Sequence, residues 1–311
     1  MKGLFTLHFM NVLKQIVLLV ALLFGALHSK GQFTVDTSSD SIDISPGDGI
    51  CADSNGECSL RAAIMESNAI TGLNNIFIPN NEYLITLNVS SENGCVSGDL
   101  DITSDLVIQG ELTRETIINA DSLDRVFHVL PGVIVTIEHL EIHQGFVFAE
   151  NGGAILNQGD LSLFEVGIRN SMTEGDTQGA QIGGMGGAIA NEGIITIENT
   201  TINDCMALGG KGGNGIAPGG GSGGGGGPGF GGAIYNTTDA VGVMVNSTIS
   251  GNIAIGGRGG SGTHHQGSGV VSSPGGLGGG NGGSAGGQNG NGGVGNWAGG
   301  GGGAGGYRES S

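Results

Sequence analysis

The sequence predicts an all-β chain coiled as a right-handed parallel β-helix, a solenoid with an N-terminal capping helix and glycine-rich insertions. Three observations carry this. First, a hexapeptide recurs at Gly152-Gly-Ala-Ile-Leu-Asn157, Gly186-Gly-Ala-Ile-Ala-Asn191 and Gly231-Gly-Ala-Ile-Tyr-Asn236. Second, each copy is followed by short β-rich runs: Leu161-Ser-Leu163 leading to Ile168, Ile195-Thr-Ile197 to Ile202, and Gly242-Val-Met244 to Ile249, with Val135-Thr-Ile137 leading to Ile142 as an earlier copy. Third, the spacing grows in one place only. From the motif isoleucines 155, 189 and 234 to the next anchors 168, 202 and 249 the steps are 13, 13 and 15 residues. From Ile142 to Ile155, Ile168 to Ile189 and Ile202 to Ile234 they are 13, 21 and 32.

Stacked coils confine length changes to one edge, whereas a sandwich has no reason to. The additions, Thr173 to Met185 and Gly209 to Phe230, are therefore expected on one flank. An uninserted coil of about 26 residues fits three short strands joined by turns.

In chain order, residues 1–31 read as a secretory signal peptide. Lys2 and Lys14 precede an apolar stretch from Ile16 to Leu27 that is short for a bilayer span, and small residues stand before Gln32. Once it is cleaved, no membrane insertion is expected, and the destination is secreted or cell-surface. Residues 32–75 form a cap, with Phe33-Thr34-Val35 as a first strand and a helix from Ser59 to Ala69. Ser59 can cap that helix by accepting a backbone N–H bond, and Leu60, Ala63, Ile64 and Ser67 fall on one face. Asn68 and Gly72 are expected to end it. Residues 76–255 form the β-helix, opening with short strands at Ile76–Ile78, Tyr83–Leu87, Leu106–Ile108, Thr116–Ile118, Val126–Val129 and Val133–Ile137.

Residues 256–311 are a glycine-rich, low-complexity tail. Such composition buries too little side chain to offset backbone ordering, so disorder is the default, and a bundle of polyproline-II strands is the ordered alternative. No further Gly-Gly-Ala-Ile-x-Asn unit follows, so the last coil is expected to be left open, as in a piece of a longer protein.

Within the motif, the glycine pairs Gly152-Gly153, Gly186-Gly187 and Gly231-Gly232 are read as positive-φ turns with no Cβ to meet the coil above. Asn157, Asn191 and Asn236 are read as a ladder of stacked amides at a turn. Cys51 and Cys58 bracket a turn-rich stretch and are expected to be disulfide-bonded, since no further ligands stand nearby for a metal site. Cys95 and Cys205 are read as two buried thiols.

Cys58-Ser-Leu-Arg-Ala-Ala-Ile64, followed by Glu66-Ser-Asn-Ala69, resembles the CSLREA domain of exported bacterial surface proteins. Pro46-Gly-Asp-Gly-Ile-Cys51, Gly98-Asp-Leu-Asp-Ile-Thr103 and Arg125-Val-Phe-His-Val129 extend the likeness over residues 33–145. The sequence differs at Ala62, where the family motif carries Glu. The hexapeptide units are similar to repeats of polymorphic outer-membrane proteins, which are autotransporter adhesins. The resemblance implies a right-handed β-helix in a cell-surface or secreted setting, and no catalytic residue.

Charge excludes one class of partner. With 10 basic against 28 acidic residues and a net charge of −18, the chain cannot bind nucleic acid through counterion release. Candidate chemistry is sparse: Asp121, Asp124 and Arg125; Glu138 and Glu141 with His139 and His143; and Glu165 with Arg169. None is expected to recur on adjacent coils as a cluster, so no enzyme is expected and no cofactor. Asp36, Asp40, Asp43, Asp48 and Asp53 offer oxygens to Ca2+ but lack the spacing of a Ca2+ loop. His264-His265 sits in the tail, where packing could not hold a site. The sequons at Asn88, Asn199, Asn236 and Asn246 matter only in a glycosylating host, and Asn and Thr stacked on strand faces account for them without it. The expectation is an adhesin-like structural protein presenting glycine-rich loops to a surface glycan or protein. The alternative is a polysaccharide lyase or hydrolase, or a carbohydrate-binding β-helix.

Overall fold

A computed structural model describes residues 31–87, 93–111, 115–176, 184–214 and 224–260. The signal-like segment, Asn88, His264-His265 and the tail from residue 261 lie outside the described residues. The chain is a stack of coils, and every strand pair among the described residues is parallel. The longest sheet stacks β1 (Gln32–Thr34), β2 (Asn74–Ile78), β5 (Leu106–Gly110), β8 (Ile134–Glu138), β12 (Asp160–Phe164), β17 (Ile194–Glu198) and β22 (Val241–Val245). A second stacks β3 (Asn81–Leu84), β6 (Thr116–Asn119), β9 (Glu141–His143), β13 (Gly167–Arg169), β18 (Thr201–Asn203) and β23 (Thr248–Ser250). A third stacks β4 (Leu100–Ile102), β7 (Phe127–Val129), β11 (Ile155–Asn157), β16 (Ile189–Asn191) and β21 (Ile234–Asn236). This is a parallel β-helix, and the anchor spacing read from the sequence is its register: Ile142, Ile168, Ile202 and Ile249 lie side by side, as do Ile155, Ile189 and Ile234.

The expectation of three strands per coil is corrected. A fourth sheet stacks β10 (Phe146–Phe148), β14 (Met172–Glu174), β19 (Met206–Leu208) and β24 (Ile253–Ile255). A two-stranded sheet joins β15 (Gly184–Met185) to β20 (Gly229–Phe230). These strands escape a periodicity reading because they are so short. In each of β10, β14 and β19 only the middle residue points inward and is buried, so no alternation develops.

The interior is a set of side-chain columns. Ile76, Ile108, Ile137, Leu163 and Ile197 make one, each at most 2% exposed. Fully burying such a side chain stabilises the fold by about 1.5–3 kcal/mol. Between the first and second sheets the chain turns through one left-handed residue per coil, at His139, Glu165, Asn199 and Asn246. A second left-handed column, Gln144, Asn170, Asp204 and Gly251, turns it toward the fourth sheet. Asn199 and Asn246, expected on strand faces, stand instead at these left-handed turns, because Asn and Asp tolerate the region better than other side chains.

Helix α1 (Leu60–Ala69) packs on β2 and β4 at the N-terminal end of the stack. Ser59 caps it, its Oγ accepting from the Ala62 N–H at 3.0 Å. The one-faced helix expected from the sequence is instead buried on nearly all sides, from Leu60 through Ser67. The reason is the segment before it, which folds over the outer face: Ser59 Oγ donates to the Ser41 carbonyl at 2.6 Å, and the Cys58 N–H donates to Asp36 at 2.7 Å. Nor does Asn68 end the helix. Its side chain donates to the Asp101 carbonyl and accepts from the Thr103 N–H, both at 2.8 Å, tying α1 to the first coil.

Candidate functional site

The repeated motif is a structural device, and its residues meet as expected. Asn157 Nδ2 donates to Asn191 Oδ1 at 2.7 Å and to the Ile194 carbonyl at 2.8 Å; Asn191 Nδ2 donates to Asn236 Oδ1 at 2.6 Å. Asn236 closes the ladder by donating to the Ala240 carbonyl at 2.9 Å. Asn157 and Asn191 are fully buried, which is tolerable because these amides are bonded along the stack.

The glycine pairs need a finer reading than two positive-φ residues. Only the first of each pair is left-handed: Gly152, Gly186 and Gly231 have φ of 73°, 74° and 61°. The second member serves close approach. A Cβ on Gly153 would lie 2.3 Å from the Gly187 carbonyl oxygen, and one on Gly187 would lie 2.2 Å from that of Gly232. Two different demands thus produce one Gly-Gly signature.

The disulfide Cys51–Cys58 is formed, with Cα atoms 5.1 Å apart. Cys95 and Cys205 are buried free thiols, and burial pushes the Cys205 thiol up to about 11. The acidic residues considered for Ca2+ are spread over local roles. Asp43 accepts from the Ser45 and Ala52 N–H groups, Asp48 from Ile50, and Asp53 from Asn55 and Glu57. Asp40 pairs with the fully buried Arg61, Oδ1 to Nε at 2.6 Å, and also accepts from the N–H groups of Thr86 and Leu87. Arg61 donates onward to the Gly98 carbonyl at 2.8 Å and to those of Cys95 and Asp99 at 3.3 Å. Glu66, also fully buried, accepts from the Gly47 and Gly49 N–H groups. These two side chains sew the wrapping segment to the helix; the sequence marks them only as helix residues.

The expectation that no charged residues recur on adjacent coils is overturned, because register brings distant positions together. Glu141 and Arg169 stand on neighbouring strands β9 and β13, with Oε2 to Nη2 at 2.6 Å, and His143 Nε2 lies 3.6 Å from the same carboxylate. Gly167 makes room for this: a Cβ there would sit 2.0 Å from Glu141 Oε2. Burial opposes ionisation of Glu141, but the Arg169 guanidinium bonded to it and the nearby His143 imidazole outweigh it and hold the carboxyl below its usual range. Glu138 and Glu165 flank His139 at longer range, at 4.0 and 3.7 Å.

A second convergence lies beneath the cap. Arg125 bonds Asp99 and Glu150 through its side chain and donates to the Asn151 carbonyl at 2.7 Å. Asp124 bonds the Arg125 N–H at 2.7 Å, whereas Asp121 stands at a left-handed turn. Next to Arg125 runs a chain across successive coils. His128 has Nδ1 3.0 Å from Asp101 and Nε2 3.1 Å from Gln158 Oε1, and Gln158 Nε2 donates to Glu192 at 2.9 Å. Both imidazole nitrogens face acceptors, which favours the imidazolium. Burial works against that charge, but the bonds to Asp101 and Gln158 carry His128 above its ordinary value. Burial drives Asp99 upward, Arg125 pulls it back, and Asp101 and Asp124 push it up again, to about 7.

Donor atoms of Asp99, Asp101 and His128 lie within 4.8 Å of one another, the spacing a cation site needs. Each residue already has protein partners: Arg125 for Asp99, the Cys95 N–H and His128 for Asp101, and Gln158 for His128. Arg125 supplies a positive charge within the group. Arg125 follows Asp99 by 26 residues and His128 follows Asp101 by 27, about one coil, a spacing that could have linked the Gly98–Thr103 and Arg125–Val129 segments.

The insertions leave and return on one flank. They depart after β14 and β19, which pair with each other, and return at β15 and β20, which also pair. The described ends of the second insertion bond to each other and to the segment that follows β24, outside any strand. Gly227 N–H donates to the Gly210 carbonyl, Gly224 to Gly213, Gly257 to Gly227, Gly212 to Arg258, and Gly260 to Gly224, at 2.8–2.9 Å. A Cβ on Gly210 would lie 1.9 Å from the Asp176 carbonyl oxygen, and one on Gly260 1.9 Å from that of Gly213. Disorder is therefore not the state of these stems: glycine lets the backbones pack against each other without side chains. No family model matches the chain, and neither a curated protein sequence nor a solved structure matches it.

Proposed function

We propose that this chain is an exported, non-catalytic structural or adhesin-like protein, secreted or held at the cell surface, that presents glycine-rich segments from a rigid β-helix. The observation that carries this reading is one flank: the returning ends of the two insertions pair as β15 and β20, and the ends of the second are bonded by backbone to each other and to the segment after β24, while the solenoid beneath stays regular. The Cys51–Cys58 disulfide fits an oxidising compartment, and the apolar segment before Gln32 fits export. The likeness of Cys58–Ala69 to the CSLREA domain points the same way. The ligand class is a surface glycan or protein.

A second reading, a carbohydrate-active or carbohydrate-binding β-helix, is favoured by one feature: Glu141, His143 and Arg169 converge on the outer face of β9 and β13. A glycan array and a polysaccharide-depolymerisation screen on residues 32–311 separate the two. Presentation predicts no turnover, and binding that is lost when the segment between Lys211 and Gly227 is shortened. Depolymerisation abolished by Glu141→Gln overturns it.

A further inference from the structure

The last described coil breaks the pattern of the coils before it. On the first sheet, inward positions hold Val135 and Ile137, Leu161 and Leu163, then Ile195 and Ile197; in β22 they hold Gly242 and Met244. The outward positions change in the opposite sense. The first outward position holds Ile134, Asp160 and Ile194 before Val241, but at the next two Thr136 and Glu138, Ser162 and Phe164, and Thr196 and Glu198 give way to Val243 and Val245. Strand β22 thus turns its β-branched side chains outward, and Val241, Val243 and Val245 are 53%, 51% and 45% exposed. Ile249 and Ile253, on β23 and β24, extend the apolar surface, and the outer edge of each of these strands has no neighbour among the described residues. Such an edge with an apolar face is a template for pairing.

We infer that this end of the solenoid docks a second copy of the chain, edge to edge about a twofold axis with β22 of each copy pairing antiparallel. Charge favours this occupant. From Gly231 to Gly260 the charged residues are Asp239 and Arg258, in a chain of net charge −18, so this is a face on which two acidic molecules meet with the least local repulsion. Residues 261–311 suit the role less well. Their large apolar side chains, Val270, Val271, Leu277, Val294, Trp297 and Tyr307, are scattered through glycine with no alternating run to match β22. A second copy supplies an identical row of valines and an identical row of backbone groups, as a twofold interface requires. Because α1 covers the opposite end, association closes at two copies.

The test is light scattering on residues 32–311 over a hundredfold concentration range, with hydrogen exchange of β22 at both extremes. The expected result is a concentration-dependent dimer, with β22 amides protected as it forms. Val243→Lys should weaken the dimer at least tenfold, and Ile134→Lys, at an outward position far down the stack, should not. A monomer at every concentration, or a dimer moved equally by both substitutions, overturns the inference. So do open-ended oligomers, or a monomer whose melting temperature falls in Val243→Lys, which would assign the surface to residues 261–311. Hydrogen exchange on the unmodified chain decides the matter if the lysine variant fails to fold.

Discussion

At the N-terminal end of the stack, Leu100, Ile102 and Leu106 are at most 1% exposed beneath α1, while at the C-terminal end Ile249 and Ile253 are about half exposed. A coil with no neighbour stacked on it presents a bare cross-section, and the first and last described coils differ in what meets theirs. The N-terminal end is closed by specific polar chemistry: a disulfide-clasped segment, a buried Arg61–Asp40 pair and a buried Glu66. The last described coil carries almost no charge and exposes valines. The contrast teaches that closure at the N-terminal end is encoded separately from the repeat, by residues outside the repeating pattern.

The comparison breaks most severely if the closed end is opened. Removing residues 33–75 should expose the first coil and leave a chain that aggregates, seen as loss of the monomer or dimer peak in size-exclusion chromatography. A truncated chain that stays soluble with its full melting temperature would remove the capping role. Next in size is Arg61→Met. It leaves Asp40 buried without its cation and removes the Arg61 donor from three carbonyls, for an expected loss of about 3–5 kcal/mol in urea unfolding. A loss below about 1 kcal/mol would mean the clamp is incidental.

The asparagine ladder sharpens the same comparison, because it runs from the buried interior toward the open end. Asn191→Ala removes bonds to both neighbours at a fully buried site and should cost about 1–3 kcal/mol. Asn236→Ala acts at an exposed position and should cost clearly less. Equal losses in the two variants would argue against a difference in order between middle and end.

Much of this fold is legible in the sequence, because a solenoid writes its register as a period. Ile155, Ile189 and Ile234 could be aligned by eye, and so could the asparagines beside them. The constant half-step placed both insertions on one flank. What stayed hidden has a common physical cause. The strands β10, β14 and β19 turn one side chain inward each, too few to show alternation. The Glu141–Arg169 pair and the Asp101–His128–Gln158 chain join residues a coil apart, and nothing local marks them. The burial of α1 on its outer side depends on where residues 36–58 fold back, and that path is set by backbone bonds to Asp36, Asp43 and Glu66 that no pattern of hydrophobicity records.

The smallest effect expected is a dependence on pH confined to the closed end. Asp99 sits at about 7, above the ordinary carboxyl value of 3.8, so the folded state holds that proton more tightly than the unfolded chain does. Its contribution is full at low pH and is lost as pH rises from about 4 through 7. His128 is also raised, so its contribution is present below 6.5 and is lost above that, in the same direction. Glu141 is lowered and runs the other way, its contribution disappearing as pH falls below 4.5. Stability should therefore be highest in mildly acidic solution and fall toward neutrality, with each fully shifted group adding at most about 1.4 kcal/mol per pH unit. Asp99→Asn keeps an oxygen for Arg125 but cannot titrate, so it should flatten the slope between pH 4 and 7; an unchanged slope would assign the dependence elsewhere. Hydrogen exchange locates the effect. Amides of β4 and β7 should lose protection as pH rises, beyond the intrinsic change in exchange rate. Those of β22 to β24, where Asp239 and Arg258 are the nearest charges along the chain, should follow the intrinsic rate alone. If both ends respond alike, the polar closure of one end and the apolar surface of the other are not energetically separate.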